Sequence, residues 1–375
     1  MTQPAGVAMG TVRRLAVGAA AALAVVTMTT STAAAGVVDA PQRFLGEETL
    51  PTGFTFEDTE VGGLSGISYD AARDVYYAIS DDRSTIDPAR FYTLSIDLSD
   101  GSLDDGDVTV LDVTTLLDRS GQPFAPGSLD PEGLALTPDD TVVITSEGDA
   151  IQLIDPFVRE FTLDGRQISN LAVPNYYDPA ADATSGIRNN LALESAGITR
   201  DGNFLFTATE NALIQDGPAA TLTTTSPARL LRYNQIGMLD QEFVYVVAAV
   251  QDPPIPSDAF ATNGLVDLLP LSPTRMLALE RGFSTGVGND VRLYLVDTAG
   301  ATNVRGLRAL PADLSGVQVV QKTLLFNLDR LGITLDNLEG LTFGPVLPDG
   351  RQSLVIVSDN NFSPTQFTQF LAFSV

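Results

Sequence analysis

The residues of this chain that could do chemistry are acids, and they recur in pairs. Glu194 and Glu210 bracket LESAGITRDGNFLFTATENAL (193–213), Glu132 and Glu147 bracket LDPEGLALTPDDTVVITSEGD (129–149), and Glu339 and Asp359 bracket the segment from Asp336 to Phe362. Asp81 and Asp82 close GGLSGISYDAARDVYYAISDDR (62–83), which has Ser65 where the others open on Glu. Glu280 closes NGLVDLLPLSPTRMLALERGF (263–283), which also lacks an opening Glu. Like charges brought close raise one another's pKa, and hard cations with oxygen ligands relieve them. The candidate metal ligands are therefore Asp81, Glu132, Glu147, Glu194, Glu210, Glu280, Glu339 and Asp359, with Glu194 and Glu210 as the candidate catalytic pair. Asn190, Asn211, Asn263, Asn337, Asn360 and Asn361 could add neutral oxygens. Calcium is the expected ion, because it tolerates irregular, many-liganded sites better than magnesium does. Acids at strand ends also cap turns or solvate a rim. What a solvated rim does not require is their return at one place in several copies.

The missing residue types exclude other chemistries. With no His and no Cys, the chain has no imidazole for a Ser-His-Asp or Cys-His mechanism, no thiolate nucleophile and no ordinary zinc ligands. Ser195 lies in LESAG, which lacks the first Gly of a nucleophile elbow and has no base to activate it. Three arginines could meet phosphate or carboxylate oxygens as substrate-binding groups: Arg83 behind Asp81-Asp82, Arg281 behind Glu280, and Arg188 ahead of the Glu194 hairpin. Each could equally pair with a neighbouring acid. The Gly-rich STGVGND (284–290) precedes another strand, RLYLV, rather than a helix, so it reads as a connecting loop and not a phosphate cradle.

Positioning these acids takes hairpins arranged about one axis. In the 193–213 stretch an apolar strand from about Ala196, an Asp201-Gly202-Asn203 turn and an alternating strand Phe204 to Thr209 read as a β-hairpin. Antiparallel strands return the chain to its starting edge, so the opening and closing acids face each other. The same frame appears five times: Gly66, Gly133 and Gly197 stand 67 and then 64 residues apart, and Glu210, Glu280 and Asp359 continue at 70 and 79. Each interval leaves room for two more strands, such as 91–98 and 108–117, or 228–234 and 241–250. Four antiparallel strands per repeat around a ring is a β-propeller, an all-β fold. Only QFLAFSV (369–375) follows the fifth hairpin, so a strand within 43–60 is expected to complete the last blade. Five blades is the arithmetic answer; a degenerate blade in a long interval would make six.

Residues 1–35 read as an export signal: Arg13-Arg14, a small apolar run from Leu15 to Met28, and Ala33-Ala34-Ala35 as the cleavage site. The flanks TVRRLAV match a twin-arginine signal poorly, which leaves an ordinary charged leader as the simpler reading. The expected mature protein, residues 36–375, is one propeller domain, periplasmic or extracellular, without a membrane span and monomeric. Net charge is −26, and removal of Arg13 and Arg14 makes it −28. Such a surface repels nucleic acid and anionic lipid. A salty habitat, a base-composition bias or calcium binding would each account for the acid excess.

GGLSGISYD with YYAISDDR, DPEGLAL with VVITSEGD, LESAGITRDGNFLFTATENAL, MLALERGF, and NLEGLTFG with LVIVSDNNF resemble the family named for the esterase-like activity of phytase, exported bacterial proteins. The resemblance spans roughly residues 60–375. It implies a propeller-like fold and hydrolysis of phosphate or other esters, with a small-molecule substrate; it brings no catalytic set residue by residue. The resulting expectation is a calcium-dependent ester hydrolase with a carboxylate-lined rim. The competing expectation is a non-enzymatic propeller that binds a ligand or protein and uses its ions structurally.

Overall fold

The computed structural model describes Met1, Pro41 and residues 43–375; the expected export signal over 1–35 lies outside the described residues. The described chain opens with β1 (Arg43–Pro51) and a small ribbon of β2 (Thr55–Phe56) and β3 (Thr59–Glu60). Blade one is β4 (Leu64–Asp70), β5 (Val75–Ser80), β6 (Arg90–Ile96) and β7 (Val108–Thr115). Blade two is β8 (Pro131–Leu136), β9 (Thr141–Ser146), β10 (Phe157–Thr162) and β11 (Gln167–Leu171). Blade three is β12 (Gly197–Ile198), β13 (Phe204–Ala208), β14 (Ser226–Asn234) and β15 (Leu239–Val247). Blade four is β16 (Ala261–Pro270), β17 (Arg275–Ser284), β18 (Gly288–Asp297) and β19 (Gln321–Asn327). Blade five is β20 (Asn337–Val346), β21 (Gln352–Asp359), β22 (Phe367–Ser374) and, as its outer strand, β1.

Five blades close the ring, and the long intervals hide no sixth. The closure pairs the two ends of the described chain antiparallel, from Arg43 opposite Ser374 to Pro51 opposite Phe367. No helix among the described residues is long and apolar enough to cross a membrane.

Period-two alternation explains why the blades stack. Leu205 points into the seam with blade two, while Phe206 and Ala208 point into the seam with blade four. Met276 and Ala278 face blade three, and Leu277 and Leu279 face blade five. Each seam is thus filled from two blades; the seam of blades five and one holds Tyr76, Ala78, Val355 and Phe370. Burial of apolar surface on both sheet faces is the main stabilising term.

The first strands of the five hairpins, β4, β8, β12, β16 and β20, surround the axis and touch one another in order. The recurring glycines make this approach possible. A Cβ on Gly66 would lie 2.6 Å from the Glu132 carbonyl oxygen, and one on Gly133 would lie 2.4 Å from the Ala196 nitrogen. The spacing that marks the repeat in sequence is therefore the spacing of contacts between inner strands.

Candidate metal centre at the propeller rim

Register decides which residue of each hairpin faces the axis. Each inner strand carries one residue more than its partner, with shifts at Leu64/Gly66, Pro131/Leu134, Leu265/Asp267 and Leu338/Gly340. Blade three has the same extra residue between the Leu193–Thr209 and Gly197–Phe206 pairs. A bulge re-aims the side chain it frees from the ladder. The bulge begins with Ser65, Glu132, Glu194, Val266 and Glu339 in the five blades. The closing position opposite holds Asp81, Glu147, Glu210, Arg281 and Asp359: Asp81, Glu147 and Glu210 donate their N–H groups to Gly63, Asp130 and Ala192, while Arg281 and Asp359 pair with Gly264 and Asn337.

Blade four therefore corrects the expected ligand set. Arg281, not Glu280, occupies its closing position. A one-residue step along a strand moves a side chain to the other face. Glu280 lies in the seam of blades three and four, accepting from the Tyr245 hydroxyl at 2.8 Å, Lys322 Nζ at 2.5 Å and the Asn263 amide at 3.1 Å. Asp82 likewise leaves the axis and pairs with buried Arg90 at 2.8 Å.

The other seven expected ligands gather at one rim, joined by Asp130, which sequence reasoning passed over. Asp130, Glu132 and Glu147 offer oxygens all within 4.8 Å of one another, and so do Glu147, Glu194 and Glu210. Their burial is nearly complete: Glu147 is 1 % exposed and Glu194 7 %. Asp81 Oδ1, Glu147 Oε2 and Glu210 Oε1 are buried without a hydrogen-bond donor. A Cβ on Gly264 would meet the Glu210 carboxylate, so this glycine leaves the room that Glu210 uses.

Burial first, and then the neighbouring acids, push these carboxyls up. Glu194 is raised well above the usual range by burial and by Glu147, Glu132 and Glu210. Asp81, Glu132 and Glu147 are raised in the same way. Asp359 reaches about 8 through burial and Glu339. Burial raises Asp130 to about 7 although Arg83 pulls it down, and Glu210 to about 7 against Arg281.

The three candidate arginines separate. Arg281 donates to Glu339 at 2.5 Å and lies 3.8 Å from Glu210, a fixed cation within the ring. Arg83 holds Asp130 through Nε at 2.7 Å and Asn190 through Nη2 at 2.8 Å, at the half-exposed edge. Arg188 meets no carboxylate: it donates to the Ala212 carbonyl at 3.0 Å and the Gly217 carbonyl at 2.5 Å, fastening two loops. Ser195 accepts from the Ala208 N–H at 3.0 Å and is fully buried.

Among the asparagines, Asn337 binds both Glu339 and Asp359, each at 3.0 Å, and Asn360 accepts from the Gly63 N–H. Beside the ring, at the seam of blades five and one, an open cleft of about 450 Å³ is lined by Glu60, Phe362, Gln366 and Phe367. Phe362, which lines this cleft, also packs beside Gly63 close to Asp81.

Could this donor set hold a metal? It is all oxygen, densely anionic and includes buried oxygens without partners, which suits a hard divalent cation and no soft one. The class defined by fold and site is a five-bladed β-propeller with a carboxylate-lined rim. The chain belongs to the phytase-like family, described as esterase-like activity of phytase, whose profile matches residues 59–362. Among curated proteins none matches it. Similar solved structures include the endo-arabinase from Bacteroides thetaiotaomicron VPI-5482, at 12 % identity over 87 % of this chain and 96 % of that chain, with a TM-score of 0.43. The periplasmic gluconolactonase of Pseudomonas aeruginosa aligns at 12 % identity over 84 % and 87 %, with a TM-score of 0.35. A protein of unknown function from Dyadobacter fermentans DSM 18053 aligns at 11 % identity over 89 % and 99 %, with a TM-score of 0.40.

Proposed function

We propose that the protein is an exported, calcium-dependent ester hydrolase acting on phosphate monoesters or related esters at the rim. The observation that carries this reading is the excess of buried rim carboxylates over the two guanidiniums beside them, with oxygens left unpartnered. Membership of the phytase-like family supports the reaction class. Export rests on the leader in residues 1–35.

Bound calcium would neutralise the ester's oxygens and make a water more acidic. Glu210, whose carboxyl burial pushes up to about 7 in the absence of a cation, would take a proton from water through an oxygen that the cation leaves free. Glu194 and Glu147 offer oxygens within 4.8 Å of a Glu210 oxygen and would hold the ion beside it. Arg83, reaching the half-exposed edge, orients an anionic substrate group, and the cleft beside Phe362 receives the organic part. The test is hydrolysis of a chromogenic phosphate monoester and the matching acetate ester, in calcium and in chelator. Turnover that vanishes with calcium removal is expected; calcium-independent turnover, or none from folded protein, contradicts the proposal.

The deep burial of the ring favours a second reading, a propeller whose ions are structural and whose rim binds a ligand without turning it over. Calcium-dependent melting without calcium-dependent hydrolysis selects it.

A further inference from the structure

Taking the rim as a cation site, we propose that it holds two divalent cations side by side in the arc of blades two and three, with Glu147 as the ligand they share. Two triads meet there, Asp130-Glu132-Glu147 and Glu147-Glu194-Glu210, and Glu147 is their common member. Oxygens within 4.8 Å of one another lie close enough for one calcium ion to draw them in as ligands at roughly 2.3–2.6 Å after small side-chain adjustments. The Glu147 side chain is an independent indication. It is 1 % exposed; one oxygen accepts from the Ala192 N–H, which fixes the carboxylate, and the other, Oε2, has no donor at all. An anionic oxygen left bare in the interior is costly unless a cation meets it. Arg83 does not fill this role, because it grips Asp130 from the outer edge.

The remainder of the ring is neutralised by protein. Arg281 replaces the closing acid in blade four and reaches Glu339 and Glu210, while Asn337 donates to Glu339 and Asp359. Among the described residues no third triad forms on the ring. A fixed guanidinium in blade four thus does what cations do in blades two and three, and this predicts two ions at the rim, apart from any weaker ion at the more exposed Asp252-Asp290-Asp329 group.

Native mass spectrometry with calcium, backed by terbium luminescence titration, reads the stoichiometry directly. Two tightly bound rim ions are expected on the protein, counted in a background in which Asp290→Asn removes the separate Asp252-Asp290-Asp329 group. Glu132→Gln and Glu194→Gln should each retain one, Glu339→Gln should retain two, and Glu147→Gln should weaken both on the order of tenfold or more. A single rim ion in that background, or Glu147→Gln that keeps two at unchanged affinity, overturns the proposal. If Glu147→Gln fails to fold by circular dichroism, the Glu132 and Glu194 variants decide alone, and retention of two ions by either one overturns it. One ion together with calcium-dependent turnover defeats only the shared-ligand proposal, whereas no ion at all defeats the calcium reading as well.

Discussion

Two groups of buried charge in this molecule use the same residue types to opposite ends. In blade three, Arg229 donates to Asp216 at 2.5 and 2.9 Å and to Glu242 at 2.9 Å, and all three side chains are fully buried. Glu242 also accepts from Tyr177 at 2.7 Å and Tyr176 at 2.5 Å, and Asp216 accepts from the Leu310 N–H. At the rim, acids of equal burial outnumber their guanidiniums and leave oxygens bare. Burial alone therefore does not mark function; burial without partners does. The first group fastens the loop segments around Asp216 and Leu310 to blade three. The second keeps carboxylate oxygens that no donor among the described residues meets.

The sharpest break in this contrast is removal of the partner from the complete network. Arg229→Met leaves Asp216 and Glu242 buried without their cation and should cost about 3–5 kcal/mol by denaturant titration. Added calcium should not restore it, because those acids sit apart from the rim; rescue by calcium would erase the distinction.

A smaller effect follows from pH in chelator. A rim carboxyl whose folded pKa is raised above its unfolded value near 4 favours folding fully only below that value. The contribution is lost as pH rises through about 7 for Glu210 and Asp130 and about 8 for Asp359. The calcium-free protein should accordingly lose stability between about pH 4 and 8, by a few kcal/mol or so over the cluster. Calcium should flatten that slope, since it binds the ionised acids. Thermal melts across this range check both, and a calcium-free Tm that climbs toward pH 8 contradicts the burial account.

The fold was largely legible because its determinants are local and repeated. Gly66, Gly133 and Gly197 recur where inner strands touch, and the Asp201-Gly202 turn sits between β12, shorter than expected at Gly197–Ile198, and β13, Phe204–Ala208, close to the expected Phe204 to Thr209. Even the outer strand that closes blade five, β1, falls within the interval left for it. The rim was legible wherever an acid stood in the frame. It failed in blade four, where Arg281 stands at the closing position and Glu280 falls one residue earlier, at the place held by Ser80, Ser146, Thr209 and Ser358 in the other blades. One residue along a strand moves a side chain to the other face, so an acid one place out of frame points into the seam instead of toward the axis. Asp130 was missed for a related reason: it precedes the recurring Glu, and only the fold turns it toward Glu132 and Glu147. Arg188 was expected to meet a substrate, but the carbonyls of Ala212 and Gly217 that occupy it come from loops no periodicity describes.

The central claim is that the rim keeps its acids unmatched in order to bind cations, so an acid there should favour function at the expense of calcium-free stability. Glu194→Gln tests both halves in one variant. It is expected to abolish calcium-dependent turnover while raising the Tm measured in chelator at neutral pH, consistent with about 1–3 kcal/mol from no longer having to protonate a buried acid on folding. Turnover at the wild-type rate, or a lower Tm in chelator, would show that Glu194 is an ordinary structural acid and contradict the account.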